Sequence, residues 1–246
     1  HNSPPFAMKV RVNKDPDQLT YDEAMRSPDR ERWKEAAQAE IDALVKKGTW
    51  LEVPMSSAEK KVLPGTWTFR RKRTPAGEIK KYKARYCVRG DLEDTHEEHS
   101  SPVCHFSSVR LFVVLTLILQ WQTCSIDFSN AFVQSEMPAD KPMWIHLPRG
   151  FRSDQSHRIC LHLQKSLYGT KIAPLLWFNT VLGAFKSLGF VQSKQDQCLL
   201  LRFDIIIVLY VDDAGIGAKE EATIDKLVQD LRDLGFELTK EGSFTE

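Results

Sequence analysis

The chain has 246 residues, 42% hydrophobic and 27% charged, which excludes a low-complexity or disordered polypeptide and leaves enough apolar material for a sizeable core. The formal net charge of +1 points to no partner by itself, so any nucleic-acid contact must come from local clustering of cations. Cys87, Cys104, Cys124, Cys160 and Cys198 form no CxxC pair, and their odd count and wide spacing predict reduced thiols in an intracellular protein. The polar, proline-containing start is unlike a signal peptide. The longest apolar stretch, Leu111 to Leu119 with Thr116 inside it, is too short to span a bilayer. A soluble protein without a membrane partner is expected.

Residues 1–26 read as polar and irregular. Ser27 or Asp29 can cap a helix carrying Trp33, Ala36, Ala37, Glu40, Ile41 and Leu44 at helical spacing, and Gly48 stands where it should stop. A strand begins at Trp67, turns at Thr74-Pro75-Ala76-Gly77 and returns over Glu78 to Val88. This hairpin is strongly basic: Arg70, Arg71, Lys72, Arg73, Lys80, Lys81, Lys83, Arg85 and Arg89 stand against the single acid Glu78. An acidic loop follows. Ser107 to Gln120 reads as a helix buried on most sides, and Thr123 to Asp127 as a short strand. Leu175 to Leu188 and Thr223 to Leu234 are amphipathic helices, and they flank strand-like runs at 198–203, 205–211 and 214–218. Strands and helices interleave without βαβ periodicity, so the fold class is α+β.

The sharpest local feature is the apolar run Ile205 to Val211, which ends in Asp212-Asp213. Adjacent carboxylates repel each other, and a hard cation such as Mg²⁺ relieves that repulsion through oxygen ligands. The alternative is an ordinary solvated turn. A second apolar strand, Cys124-Ser125-Ile126, ends in Asp127, which can instead cap the turn that follows. If the two strands are neighbours, three carboxylates can bridge two metal ions about 3.5–4 Å apart, the arrangement used for in-line phosphoryl transfer.

Several segments, in order, resemble the reverse transcriptases of Ty1/copia retrotransposons. Tyr210-Val211-Asp212-Asp213 is similar to their YxDD box, and Asp127 to Phe132 to their other acidic motif. Lys165 to Pro174 is similar to K-S-L-Y-G-L-K-Q-A-P, with Trp177 in its usual place. Lys81 to Arg85 with Arg89-Gly90 is similar to R-Y-K-A-R-L-V-A-R-G, and Gly48-Thr49-Trp50 and Ser101-Pro102-Val103 are further matches. The resemblance runs from about Trp33 to the C-terminus.

The resemblance implies the fingers and palm of a right-hand polymerase, with an antiparallel palm sheet flanked by helices. It places a polar extension at 1–26, fingers at about 27–105 with parts of 133–174, and palm at about 106–132 and 175–246. It implies an RNA-directed DNA polymerase that extends a primer on an RNA or DNA template from deoxynucleoside triphosphates, using two Mg²⁺ ions or Mn²⁺ in their place. Asp127, Asp212 and Asp213 are the implied catalytic residues, with Phe128 beside them in the metal set. Lys83 and Arg85 are implied to grip the triphosphate, Tyr168 and Gly169 to lie against the nucleotide, and Phe132 to pack under its sugar and exclude ribonucleotides. Arg70, Arg71, Lys72, Arg73, Lys80, Lys81, Arg89 and Tyr210 are the implied nucleic-acid contacts. Other parts of a Pol polyprotein are expected partners, in a cytoplasmic virus-like particle or the nucleus.

Thr170 and Ile172 depart from the usual Leu and Gln of their box, and Ile172 removes a polar group expected near template and nucleotide. Two zinc-like spacings, His96/His99/Cys104/His105 and His157/Cys160/His162, have no further support. The sequence is expected to end before the primer grip, leaving out the thumb, connection and RNase H. The competing readings are a decayed or domesticated fragment that keeps its fold and nucleic-acid binding without catalysis, and a two-metal nuclease using the same acids.

Overall fold

The computed structural model describes residues 15–94, 100–151 and 158–242. The chain is mixed α+β, and among the described residues its three sheets are antiparallel except at one strand pair. It divides into two compact units, one of residues up to 43 with 66–86, the other of residues 44–65 with 87 onward.

The elements begin with β1 (Gln18–Leu19), α1 (Tyr21–Arg26), α2 (Arg30–Lys46), β2 (Trp50–Pro54), β3 (Val62–Leu63), β4 (Gly65–Arg73) and β5 (Ile79–Val88). Then come α3 (Phe106–Ile118), β6 (Gln122–Phe128), β7 (Trp144–Ile145), β8 (Ile159–Leu163) and α4 (Ala173–Ser187). The last are β9 (Val191–Gln192), β10 (Leu199–Arg202), β11 (Ile205–Tyr210), β12 (Asp213–Ala218), α5 (Glu221–Asp233) and β13 (Leu238–Lys240).

The first unit is the sheet β1-β4-β5 with α2 against it. Trp67 and Phe69 of β4 and Ala84 and Tyr86 of β5 alternate into its core. Trp33 of α2 meets Phe69 and Tyr82 edge-on, with ring centres 5.4 and 4.6 Å apart. Residues 18–26 are regular rather than irregular, correcting the reading of that stretch. Leu19 pairs with Phe69, and Thr20 and Glu23 form a reciprocal capping box at the start of α1. A strand of two residues and a helix of six are too short to show periodicity, so only the Thr-x-x-Glu spacing announced them.

In the second unit a six-stranded sheet runs β13-β6-β12-β11-β10-β9, and a four-stranded one runs β2-β8-β7-β3. Ile205 to Leu209 are all buried because both faces of β11 are covered. Ile205, Ile207 and Leu209 join Trp177, Val181 and Phe185 of α4 and Ile224, Leu227 and Leu231 of α5. Ile206 and Val208 meet Phe112 of α3 on the opposite face. Gly217 permits that approach, since a Cβ there would lie 2.5 Å from the Thr116 methyl.

α3 is not buried on most sides. Ser108, Phe112 and Thr116 form its buried stripe, while Leu117 and Ile118 are 64% and 73% exposed. A helix lying on one sheet face buries one stripe, and an evenly apolar sequence does not mark which stripe that is. No helix among the described residues is long and apolar enough to cross a membrane. All five cysteines are free, and burial pushes the thiols of Cys104 and Cys124 up to about 11 and that of Cys198 to about 12.

Candidate active site

The carboxylate site is built by strand register. β12 runs antiparallel to β6 with Asp213 opposite Asp127, and Thr239 of β13 flanks Asp127 on its other side. Partners in register project from the same face, so Asp127 and Asp213 share one face of the sheet. Cys124, Ile126 and Phe128 alternate to the buried face, which holds Asp127 on the open one.

Asp212 stands in the turn between β11 and β12, where Tyr210 pairs with Asp213 and Val211-Asp212 close the hairpin. Val211 lies at φ 56°, a left-handed conformation that costs a β-branched residue roughly 1–3 kcal/mol. It therefore left the strand in which the apolar run had placed it. Two hydrogen bonds hold the turn: Trp177 Nε1 donates to the Val211 carbonyl at 2.6 Å, and the Phe128 amide donates to the Asp212 carbonyl at 2.8 Å. The Phe128 ring is buried against Trp177, so only its main chain is available to a cation.

Burial pushes the Asp213 carboxyl above its ordinary range, and the charges of Asp212, Asp127 and Glu241 push it the same way. Glu241 is a fourth carboxylate that the sequence did not flag. Its amide donates to the Ser125 carbonyl at 2.8 Å, and its Oε2 accepts from the Ser125 hydroxyl at 3.4 Å. Only the pairing of β13 with β6 brings it there. Its neighbour Lys240 is held by Glu221 and Asp225 at 3.0 and 2.7 Å, away from the other acids.

No three His, Cys, Asp or Glu side chains among the described residues are grouped closely enough to hold a metal. Cys104, His105, Cys160 and His162 thus form no zinc site with described neighbours, and His96, His99 and His157 lie outside the described residues. The charges of Asp127 and Asp212 act on the Asp213 carboxylate, and the three do not close into a single ligand set. Their donors are all hard oxygens on rigid backbone, which suits Mg²⁺ or Mn²⁺.

Phe132 and Tyr168 stack obliquely, with ring centres 4.9 Å apart, and the Ser166 hydroxyl donates to the Phe132 carbonyl at 2.5 Å. Gly169, at φ 90°, crosses the end of β5. The Val88 amide donates to the Tyr168 carbonyl at 2.7 Å, and a Cβ on Gly169 would lie 2.1 Å from the Val88 carbonyl oxygen. Gly90 is equally constrained, since its Cβ would lie 2.1 Å from the Gly169 carbonyl oxygen. Thr170 donates to the Leu167 carbonyl at 3.0 Å, and Ile172 is buried.

Lys83 and Arg85 belong to the other unit, half-buried on one face of β5. The basic hairpin carries more compensation than its own sequence shows. Arg71 and Arg73 pair with Asp29 and Asp17 at 3.0 and 2.7 Å, and Arg70 stands 3.8 Å from Asp15. Arg89 pairs with Asp91 at 2.7 Å. Lys72, Lys80, Lys81 and Tyr210 are exposed.

Residues 48–245 match the family model described as reverse transcriptase (RNA-dependent DNA polymerase), and the chain belongs to that family. Within it, the chain is a reverse transcriptase domain of the copia-type Pol polyprotein. It is 30% identical to the retrovirus-related Pol polyprotein from transposon TNT 1-94 of Nicotiana tabacum, over 92% of this chain and 18% of that protein. It is 28% identical to the Pol polyprotein from transposon RE1 of Arabidopsis thaliana, over 92% of this chain and 16% of that protein. The Ty1-DR5 Gag-Pol polyprotein of Saccharomyces cerevisiae is 26% identical, over 87% of this chain and 12% of its own length. The chain thus spans less than a fifth of each of these relatives.

Proposed function

We propose that this chain adds deoxynucleotides to a primer 3′-hydroxyl on an RNA or DNA template, with Asp127, Asp212 and Asp213 as the catalytic carboxylates. The observation that carries this reading is the pairing of Asp127 with Asp213 across β6 and β12, with Asp212 in the adjoining turn. Asp213 is raised first by burial and then by the charges of Asp212, Asp127 and Glu241, and divalent cations would relieve that second, repulsive part. Divalent cations supply Lewis-acid polarisation of the 3′-hydroxyl and of the triphosphate oxygens when bound.

The chain's own residues position the substrates. The Phe132 ring, braced by Tyr168, provides an apolar platform for the sugar that disfavours a 2′-hydroxyl. Gly169 brings main chain rather than a side chain to the nucleotide. Lys83 and Arg85 take the triphosphate, and the fork of Arg suits paired phosphate oxygens. Lys72, Lys80, Lys81 and Tyr210 are exposed candidates for the template and primer backbone, alongside Arg70, Arg71, Arg73 and Arg89. We assign residues of about 27–105 with parts of 133–174 to the fingers, about 106–132 and 175–246 to the palm, and other segments of the Pol polyprotein to the partners.

Primer extension on RNA and DNA templates with Mg²⁺ or Mn²⁺ tests the reading. Extension by the parent and none by Asp212→Asn supports it, and equal extension by both removes the mechanism. Absence of extension from both would favour a chain that keeps fold and nucleic-acid binding without catalysis.

A further inference from the structure

We propose that Glu40 is a positioning residue that sets the orientation of the Arg85 and Lys83 side chains for a polyphosphate anion. The inference rests on the reading that these two cations take the triphosphate.

All of the groups lie in the first unit. α2 packs on the sheet through Trp33, which fixes the helix against Phe69 and Tyr82. Two turns further along α2, Glu40 reaches β5, which has β4 as its single neighbour in the three-stranded sheet. There its carboxylate accepts the main-chain N–H of Tyr86, the residue next to Arg85. Its Oε1 is buried with no hydrogen-bond partner among the described residues. Burial pushes the Glu40 carboxyl above its ordinary range, and the Tyr86 amide and the charges of Arg85 and Lys83 act against that by favouring the ionised form.

A half-buried acid with a buried, unbonded oxygen is a costly placement in a helix that has solvent-facing positions available. It is consistent with a role that needs the charge at that point. Ionised, Glu40 holds the main chain at Tyr86 and attracts the two side chains on the adjoining β5 face. That restricts their rotamers before an anion arrives and reduces the entropy lost on binding.

The experiment uses inorganic tripolyphosphate as the probe, so that binding is read apart from catalysis, together with primer extension for the deoxynucleotide KM and kcat. Glu40→Gln keeps the shape and an acceptor for Tyr86 and removes the charge. The positioning role predicts tripolyphosphate binding and KM weakened by roughly tenfold, kcat unchanged, and an unaltered melting transition. A mere neighbouring negative charge predicts the opposite sign, because removing it leaves the cations more attractive to an anion. Unchanged or tighter binding therefore overturns the inference. If Glu40→Gln loses its cooperative melt, Glu40→Asp carries the test: weakening is again expected from the shorter reach, and parental affinity overturns the inference. Arg85→Ala separates the two levels. Parental binding by Arg85→Ala overturns the triphosphate reading and this inference with it. Weakened Arg85→Ala beside unaffected Glu40→Gln overturns the inference alone.

Discussion

Trp177 and Val211 are joined by a hydrogen bond of 2.6 Å from the indole Nε1 to the main-chain carbonyl. This bond links the buried core under the sheet to the turn that presents Asp212. It meets the carbonyl at the one point where the hairpin backbone takes a left-handed value, φ 56° at Val211. Trp177→Phe keeps most of the packing and loses the bond. We expect a stability loss of about 1–3 kcal/mol, read by denaturant melts, and a larger fractional loss of extension activity. Val211→Gly relieves the left-handed conformation and should change stability by less than about 1 kcal/mol in either direction. A loss well above that would show that the Val211 side chain matters more than its backbone.

Asp213 sets up a trade between stability and metal binding. Its carboxyl is raised above 3.8, first by burial and then by Asp212, Asp127 and Glu241. The folded state therefore binds this proton more tightly than the unfolded state does. The resulting cost is absent below pH 3.8, grows as pH rises toward the folded value, and is fully present at neutral pH. Asp213 is exposed as a residue and its carboxyl is only partly shielded from water, so solvent screening keeps the effect to a few tenths of a kcal/mol. Without divalent cation, Asp213→Asn should melt at or slightly above the parent. With saturating Mg²⁺ the parent should gain up to about 2–3 kcal/mol and the variant much less. Thermal melts with and without Mg²⁺ decide it, and equal gains in both proteins would remove Asp213 from the metal set.

Asp196 ties the start of α3 to the segment that leads into β10. Its carboxylate accepts the His105 amide at 2.8 Å, the Ser108 hydroxyl at 2.5 Å and the Cys198 amide at 2.8 Å. Burial alone would raise this carboxyl, but the Ser108 hydroxyl, the Cys198 and His105 amides and the charge of His105 outweigh it and hold it below its ordinary value. Its contribution is thus fully present above pH 3.8 and is lost as pH falls below that toward the folded value. Asp196→Ala should cost roughly 2–4 kcal/mol at neutral pH, with the gap to the parent narrowing in acid. A constant gap down to the acid transition would contradict this account.

Gly169 and Gly90 are fixed by backbone contact. Gly169→Ala puts a Cβ about 2.1 Å from the Val88 carbonyl at a φ of 90°, so we expect a loss on the order of 2–4 kcal/mol and soluble expression reduced accordingly. Gly183, inside α4 with nothing near its absent Cβ, is the control: Gly183→Ala should stabilise by about 0.5–1 kcal/mol.

α3 divides into a buried stripe and an exposed apolar face. Phe112→Ala should cost about 3–5 kcal/mol, whereas Ile118→Ser should change stability by less than about 0.5 kcal/mol. Comparable losses at both positions would mean that the exposed face is covered.

The sequence by itself was enough to locate the parts of this protein that depend on local chain properties. The apolar run from Ile205 ending in two acids, the turn at 74–77, the amphipathic stripes of α4 and α5, and the ordered family boxes are all readable along the chain, because turn chemistry and side-chain periodicity act over a few residues. Thr20 and Glu23 were readable in the same way but too brief to attract notice. Tertiary structure decided the rest. The register that sets Asp127 opposite Asp213, the left-handed turn at Val211, the stripe of α3 that meets Phe112's partners, and the approach of Glu241 to Ser125 all join residues far apart in the chain. The basic hairpin shows the same limit, since its cations were visible at once while the partner acids at 15 and 17 came close only when β1 paired with β4, and Asp29 only when α2 packed on the sheet. Contacts of this kind arise from strand pairing and packing, which local spacing does not encode.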